Sequence, residues 1–543
     1  MSRLQDPVRD GLVRGWKVYG GRHVGARPLP RDTLRCDVAI IGTGAGAGVT
    51  AELLTRAGLD VVLIEEGPLK SSSDFRQIES EAYQSLYQES AARKTADKAI
   101  NILQGRCVGG STTVNWTSSF RTPDATLSYW REHFGLGPEF DPQAMSPWFA
   151  QAEQRLNIGP WLAPPNENND LLRRGAAQLG IPAAAIKRNV KGCWNLGSCG
   201  LGCPTNAKQS MLVTTLPAAL DQGARLLVET RAHKLVKRGT RIEALECVAV
   251  SPIGEPLSSE VLRIEAKHFV VAGGAINSPA LLLRSDLPDP HDTLGRRTFL
   301  HPVVISAAVF DQKIEGWAGA PQTIYSDHFL ETDPIDGPIG YKLEAPPIHP
   351  IIFASAVSGF GPEMARQFKA FPNTHALLAL LRDGFHPQAP GGRVTVRGDG
   401  SPVLDYPLTD FVMDGARRAL LSMAEIQFAA GAREVVPAHE RAVTYKSWAD
   451  AKRAIGALPM RPHLTRVVSA HVMGGCGIAG DEKRGVVRPD GRHWQVENLS
   501  VHDGSLFPTS IGANPQLSVY GLVNRLATGL AQQLSGREVK LVA

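Results

Sequence analysis

The sequence predicts an α/β fold, with a Rossmann-type parallel-sheet domain and a second domain of sheet and helix (α+β). Two stretches carry the prediction. Residues 36–67, CDVAIIGTGAGAGVTAELLTRAGLDVVLIEEG, pass from an apolar strand through a glycine turn into an apolar-periodic helix and out to a second apolar strand. Residues 291–464 mix strand-like runs with an isolated helical pattern. IGYKLEAPP and GGRVTVRGDGSPVLDYPL have strand character, the latter around a Gly-Asp-Gly turn, and DGARRALLSMAEIQFAAGA has helical spacing.

Each element of the first unit follows from its residues. Asp37 to Ile41 reads as a short buried strand. Gly42, Gly44 and Ala47 then fall on the pattern G-x-G-x-x-G/A. Gly42 permits the tight turn, Gly44 lets the backbone approach a pyrophosphate, and Ala47 lets helix and strand pack closely. The helix runs to about Arg56, Gly58 ends it, and its N-terminus faces the phosphates. Val61 to Ile64 forms the next strand and closes on Glu65 and Glu66, where an acid about 20 residues past the glycines hydrogen-bonds a ribose hydroxyl. Strand, turn, helix, strand and acid in this order specify a dinucleotide site, without saying which dinucleotide. Further on, residues 71–104 are polar and helix-prone, and 121–200 read as a helical excursion rich in Trp and Pro. GARLLVET, RIEALECVAV and HFVVAGGAI read as strands, and a helix at about 516–534 ends the chain.

Composition bounds the class. An apolar content of 43% with 20% charged residues is an ordinary globular balance. The net charge of +5 arises from 58 basic and 53 acidic residues, and residues 1–33 hold seven Lys/Arg against three Asp. The rest is near neutral, which speaks against a nucleic-acid partner. The basic arm carries Trp16 and Tyr19. Its dispersed charges favour packing across the nucleotide domain, and peripheral contact with an anionic membrane surface is the alternative. With no run of 18 apolar residues and no N-terminal h-region, the expected location is cytoplasmic, or membrane-associated through the arm. Seven cysteines fit a reducing compartment. Cys193, Cys199 and Cys203, spaced C-x5-C-x3-C, match no zinc pattern and lack the fourth thiolate of a cubane, so no metal is expected.

Four glycine-rich blocks then come into play: GRCVGGSTTVNWTSSFRTP (105–123), VVAGGAINSPALLLRS (270–285), SAHVMGGCGIAG (469–480), and NLSVHDGSLFPTSIGANPQLSVYGLVNRLATGLAQQL (498–534). In this order, together with residues 36–67, they resemble the glucose–methanol–choline (GMC) flavoprotein oxidoreductases over nearly the whole chain. Ala47, the HxxGG form at His471 and the pair Asn514-Pro515 resemble the cholesterol oxidase branch. GRRTFLHPV (295–303), SAHVMG and the cysteine loop 193–203 resemble long-chain alcohol oxidases. The resemblance implies FAD and an interleaved chain. Residues 35–120, 206–290 and 465–543 would form the FAD-binding domain, 121–205 a helical excursion ending in a covering cysteine loop, 291–464 the substrate domain, and 1–34 the basic arm.

The resemblance also implies site residues. Gly105, Gly109, Gly110, Ser111 and Asn115 match the loop along the pyrophosphate and flavin, and Asp503, Gly504 and Pro515 match the C-terminal flavin contacts. Some relatives link FAD through a histidine just before the loop asparagine. Here Val114 stands there, which implies non-covalent FAD. His471 matches the family's catalytic histidine, suited to taking a hydroxyl proton because its pKa lies near neutrality. Asn514 matches the second member of the pair, an amide that donates to the alkoxide without titrating. Asn514 as N-cap with Pro515 at N1 is a compatible structural reading. Glu344, in an AP-containing strand, is a third catalytic candidate; His349 and His301 follow it. The implied reaction takes a hydrophobic long-chain, terpenoid or sterol-like alcohol to an aldehyde or ketone by proton abstraction and hydride transfer to flavin N5. Oxygen, a quinone or a redox protein would reoxidise the flavin. A dehydrogenase acting on a sugar or other polar alcohol is the alternative.

Overall fold

A computed structural model describes residues 5–23, 25–357 and 359–542. Two eight-stranded sheets organise the chain. In the first, the strand Leu34–Ile41 lies parallel between Val61–Ile64 and the C-terminal half of Pro256–Val271. Arg225–Leu227 and Lys17–Tyr19 extend it on one side and Leu499–Val501 pairs on the other, all parallel. Val38 to Ile41 and Val61 to Ile64 are buried, which fits strands covered on both faces. The N-terminal half of Pro256–Val271 continues into an antiparallel ribbon with Arg241–Val250 and Thr230–Arg238. The helix Ala45–Arg56 packs between Thr215–Asp221 and Gln516–Ser535.

The second sheet runs Ile100–Ile102, Val467–Ser469, Val303–Val309, Thr374–Leu381, Tyr341–Glu344, Ile324–Ser326, Ala184–Ala185, with Glu434–Pro437 beside Val303–Val309. Its first two strands come from stretches that otherwise serve the first sheet. The helix Asp410–Ala429 buries Val412, Ala416, Ala419, Leu420 and Met423 against it and forms a second core. The Gly-Asp-Gly turn does join an antiparallel pair, Arg393–Val396 with Pro402–Asp405.

The arm packs rather than projects. Asp6 caps the helix Pro7–Arg14 by accepting the Arg9 N–H, Trp16 covers Gly11, and the indole N–H donates to Asp221 at 2.6 Å. Trp16 is buried, and the Arg27 guanidinium lies over Tyr19. The two aromatics on which a membrane contact would rest are therefore occupied within the fold. Among the described residues no helix is long and apolar enough to cross a membrane. The cysteine loop is fastened from beneath: Lys208 Nζ donates to the carbonyls of Thr113, Asn115 and Cys199 at 2.8, 2.7 and 2.7 Å. Cys193, Cys199 and Cys203 are all unpaired.

Candidate active site

The two glycine loops meet backbone to backbone. Gly42 (φ +109°) and Gly110 (φ +54°) occupy the left-handed region. A Cβ on Gly42 would lie 2.3 Å from the Ala272 carbonyl oxygen, and one on Gly110 2.8 Å from Gly44 Cα. Gly44 precedes the helix Ala45–Arg56 with no side-chain cap, so the first helical N–H groups are free for a phosphate. The close helix–strand approach falls on Gly46, whose Cβ would lie 1.7 Å from the His502 carbonyl oxygen. Ala47, expected to serve there, is an ordinary core alanine.

Glu65 ends its strand buried. Its Oε2 accepts the Thr43 hydroxyl at 2.5 Å and its Oε1 the Gly67 N–H at 2.8 Å. Burial pushes the carboxyl up to about 7 despite these bonds. Glu66, also on the cavity wall, is paired with Arg106 at 2.9 Å and Arg231 at 3.0 Å. Those guanidinium groups hold it ionised against its own burial. Thr43 also accepts the Gly109 N–H at 3.0 Å, so one hydroxyl joins the strand-end acid to the second loop. In that loop Ser111 Oγ accepts the Gly105 N–H at 2.9 Å, and Asn115 donates to Gln516 at 2.7 Å. Asp503 accepts the N–H groups of Gly274 and Ser505, both at 2.8 Å, and the hydroxyls of Ser278 and Ser505, both at 2.5 Å.

A cavity of about 770 Å³ runs along these groups. Its wall includes Gly42, Gly44, Glu65, Gly105, Gly110, Ser111, Asn115, Asp503, Gly504 and Pro515, and also Trp116, Gln322, His471 and Asn514. Volume and wall suit a large ligand with a small substrate beside it. His471 follows the strand Val467–Ser469, and its N–H is held by Ser469 Oγ at 3.3 Å. Its Nδ1 is buried without a partner, and burial, reinforced by the Lys342 ammonium, pushes the imidazole down to about 4. The ring is therefore neutral and able to accept a proton.

Asn514 is not an N-cap. The helix Gln516–Ser535 is preceded by Pro515 in helical conformation, with no side-chain cap, and the Asn514 amide instead donates to Glu344 Oε2 at 3.3 Å. Gln322 Nε2 donates to the same oxygen at 2.5 Å. One of the two Asn514 N–H groups expected at the substrate oxygen is thus engaged, and Oδ1 is left unpartnered. Glu344 is buried and outside the cavity wall, behind Gln322 and Asn514. It touches the site through Asn514, which sets it apart from a base acting on substrate. His301 Nε2 accepts the Gly512 N–H at 3.0 Å, two residues before Asn514, and its ring lies edge-on to His471 with centroids 5.6 Å apart. His349 is drawn to the Gly197 carbonyl in the cysteine loop. Sequence reasoning missed Thr43, Gly46, Gln322 and Lys342. Thr43 and Gly46 occupy the "x" positions of the glycine motif, and the other two carry no motif.

The N-terminal GMC oxidoreductase model matches residues 83–303 and the C-terminal model residues 387–522. An uncharacterised GMC-type oxidoreductase of Mycobacterium tuberculosis is 32% identical over 505 residues, 92% of this chain and 77% of that protein. A long-chain-alcohol oxidase of Arabidopsis thaliana is 29% identical over 526 residues, 92% of this chain and 67% of the plant enzyme. The fold is shared with pyridoxine 4-oxidase from Mesorbium loti, at TM-score 0.67 and 19% identity over 91% of this chain and 98% of that one. It is also shared with formate oxidase of Aspergillus oryzae, at TM-score 0.68 and 15% identity over 93% and 99%. GMC enzymes bind FAD, and the residues fit it: glycines keep open the seam between the loops that a Cβ would fill, above a buried acid at the strand end. This chain belongs to the GMC oxidoreductases and is an FAD-dependent oxidoreductase acting on CH–OH groups.

Proposed function

We propose that the protein oxidises a hydrophobic alcohol, of long-chain, terpenoid or sterol-like type, to the aldehyde or ketone, with oxygen as electron acceptor. The observation that supports the chemistry is His471, with its Nδ1 unpartnered and burial disfavouring its protonated form, lining the same cavity as Asn514 and the flavin cradle. The substrate class and acceptor rest on the likeness to long-chain-alcohol oxidases. Bound FAD supplies the two-electron acceptor for the α-hydrogen. His471 takes the hydroxyl proton. Asn514 gives one N–H to Glu344 and offers the second to the substrate oxygen as negative charge develops there. Gly42, Gly44, Gly105, Gly109 and Gly110 shape the cradle, Glu65 takes a ribose hydroxyl, and Ser111, Asn115, Asp503, Gly504 and Pro515 complete the contacts. Val114, in place of a linking histidine, supports non-covalent FAD.

One observation favours a second reading. Trp116 Nε1, Thr117 Oγ1 and Ser118 Oγ stand unpartnered in residues lining the cavity. They suit a sugar or other polar alcohol, with a quinone or redox protein as acceptor. Anaerobic reduction with short, long-chain, sterol and sugar alcohols, followed by reoxidation with oxygen or a quinone, separates the readings. Bleaching by long-chain or sterol alcohols and rapid recovery with oxygen support the first. Bleaching by sugars alone, or recovery only with quinone, supports the second.

A further inference from the structure

Lys342 and Glu344 stand two apart on the strand Tyr341–Glu344, so both side chains leave the same face of the sheet. Both are buried, at 2% and 0% exposure. Among the described residues Lys342 has no carboxylate within ion-pair distance. Its Nζ lies 3.3 Å from the centre of the Phe120 ring and 4.3 Å from that of Tyr325, and those rings meet edge to face at 4.9 Å. Two aromatic faces thus replace water around a buried cation. Burial pushes this ammonium down to about 8, and three acids oppose that: Glu344 on its own strand, Asp327 before the helix His328–Glu331, and Glu331 within it. The other groups facing this charge are imidazoles, His471 and His301, whose protonated forms Lys342 disfavours, with Arg382 beside His301 and Arg188 beside Glu344.

The geometry points to Lys342 as a positioning residue that acts through Glu344, fixing the amides of Gln322 and Asn514 with their N–H groups toward the carboxylate. Both amides donate to the single oxygen Oε2. Only an ionised carboxylate accepts from two N–H donors without offering a proton of its own. With its proton on Oε2, Glu344 would donate, and one amide would turn its carbonyl oxygen inward; with its proton on the unpartnered Oε1, it would lose the charge that holds both amides in place. Burial favours that protonated form, and among the opposing influences Lys342 comes first. Lys342 therefore decides which face Asn514 shows the substrate. This role rests on the assignment of His471 and Asn514 to the active site.

Infrared titration of the FAD-loaded enzyme tests it, the Glu344 band being the one absent from Glu344→Gln. We expect an ionised Glu344 at pH 7 in the wild type and in Lys342→Arg. In Lys342→Met the midpoint should rise by about one unit or more, the lower range for losing a neighbouring charge. Alcohol-dependent flavin reduction in Lys342→Met should fall about tenfold at pH 7 and recover toward higher pH, while Lys342→Arg stays near wild type. A purely packing role would lower the melting temperature without moving either pH profile. Equal midpoints in wild type and Lys342→Met, or a protonated Glu344 in the wild type at pH 7, would overturn the inference. Lys342→Gln substitutes if the Met variant does not fold. The infrared readout needs no substrate, so failure of every alcohol to reduce the flavin would count against the proposed function alone.

Discussion

The state of His471 makes a demanding prediction about pH. Burial, with the Lys342 ammonium adding to it, holds the imidazole at about 4 against an ordinary 6.5. At pH 5 an imidazole titrating at 6.5 would be neutral in roughly one molecule in thirty, whereas one titrating near 4 is roughly 90% neutral. The second-order rate constant for flavin reduction by alcohol reports ionisations of the free enzyme. Measured anaerobically by stopped flow between pH 8 and pH 5, it should fall less than about twofold from this group, not about thirtyfold. His471→Ala should lower it at least about a hundredfold across that range while FAD stays bound, and Asn514→Ala by a smaller factor. An acid limb centred near pH 6.5 that vanishes in His471→Ala would refute the argument that burial keeps this base neutral. Near-wild-type rates in His471→Ala would remove His471 as the base altogether, and Glu344→Gln and His349→Ala measured in parallel would then identify the substitute.

Gly110→Ala should cut FAD retention sharply, because its Cβ would stand 2.8 Å from Gly44 Cα at a φ of +54°; the fraction of flavin surviving gel filtration checks this. Glu65→Gln should weaken retention by about 1–2 kcal/mol, the loss typical of a charge-assisted hydrogen bond, and acid or heat should release the flavin free of the polypeptide. Unchanged retention would exclude Glu65 as the ribose contact. Replacing Cys193, Cys199 and Cys203 together by Ser should leave alcohol-dependent reduction largely intact, since Lys208 Nζ holds the loop through the Cys199 carbonyl and the hydrogen bonds that the three sulfurs accept can pass to a serine hydroxyl; iron with acid-labile sulfide, or stoichiometric zinc, in the purified protein would contradict this. The histidines His268, His301, His349, His375, His439, His471, His493 and His502 have imidazoles depressed by burial. Their contribution is complete above pH 6.5 and is lost as pH falls toward their folded values, so the urea midpoint should drop below pH 6.5. Burial-raised carboxyls at Glu65, Glu229, Glu344, Asp383 and Asp503 oppose the trend but are fewer, and a flat midpoint from pH 7 to 5 would overturn the sign.

What could be read from the chain alone was what is encoded locally. The unit from Cys36 to Gly67 announces strand, turn, helix and acid because each residue's environment is set by its near neighbours. His471 and Asn514 were accessible through the blocks around them. Pairings across the chain were not. Nothing near Glu66 signals Arg231, and nothing near Asn514 signals Glu344, since the first contact depends on how distant strands join one sheet and the second on how the second sheet meets the segment before the last helix. The N-cap reading of Asn514 failed because Pro515, in helical conformation, takes the capping position itself, and the Asn514 amide turns to a buried carboxylate of the second sheet that no neighbouring residue signals. The close approach at Gly46 was hidden because the motif marks spacing, whereas the contact depends on where the His502 carbonyl lies.

The proposed catalytic pair, His471 and Asn514, is fixed from a single point between the two sheets. Asp383, buried, accepts the N–H groups of Leu300 and His301 at 3.1 and 3.2 Å and the Tyr406 hydroxyl at 2.6 Å. The Leu300 carbonyl accepts the Ser469 hydroxyl at 2.5 Å, and Ser469 in turn accepts the His471 N–H. His301 accepts the Gly512 N–H on the other side and so steadies the segment leading to Asn514. His301 itself sits at φ +43°, a conformation a non-glycine residue keeps only where its surroundings enforce it. Residues 300–301 therefore set the placement of both members of the pair, although neither contributes a group to the cavity wall. The sequence FLHPV attracts notice for its histidine, but the function of that histidine is to join two backbone segments. In the proposed reaction the proton chemistry falls to His471, whose own ring nitrogen Nδ1 has no partner to hold it, so that its position depends on this backbone network and on packing.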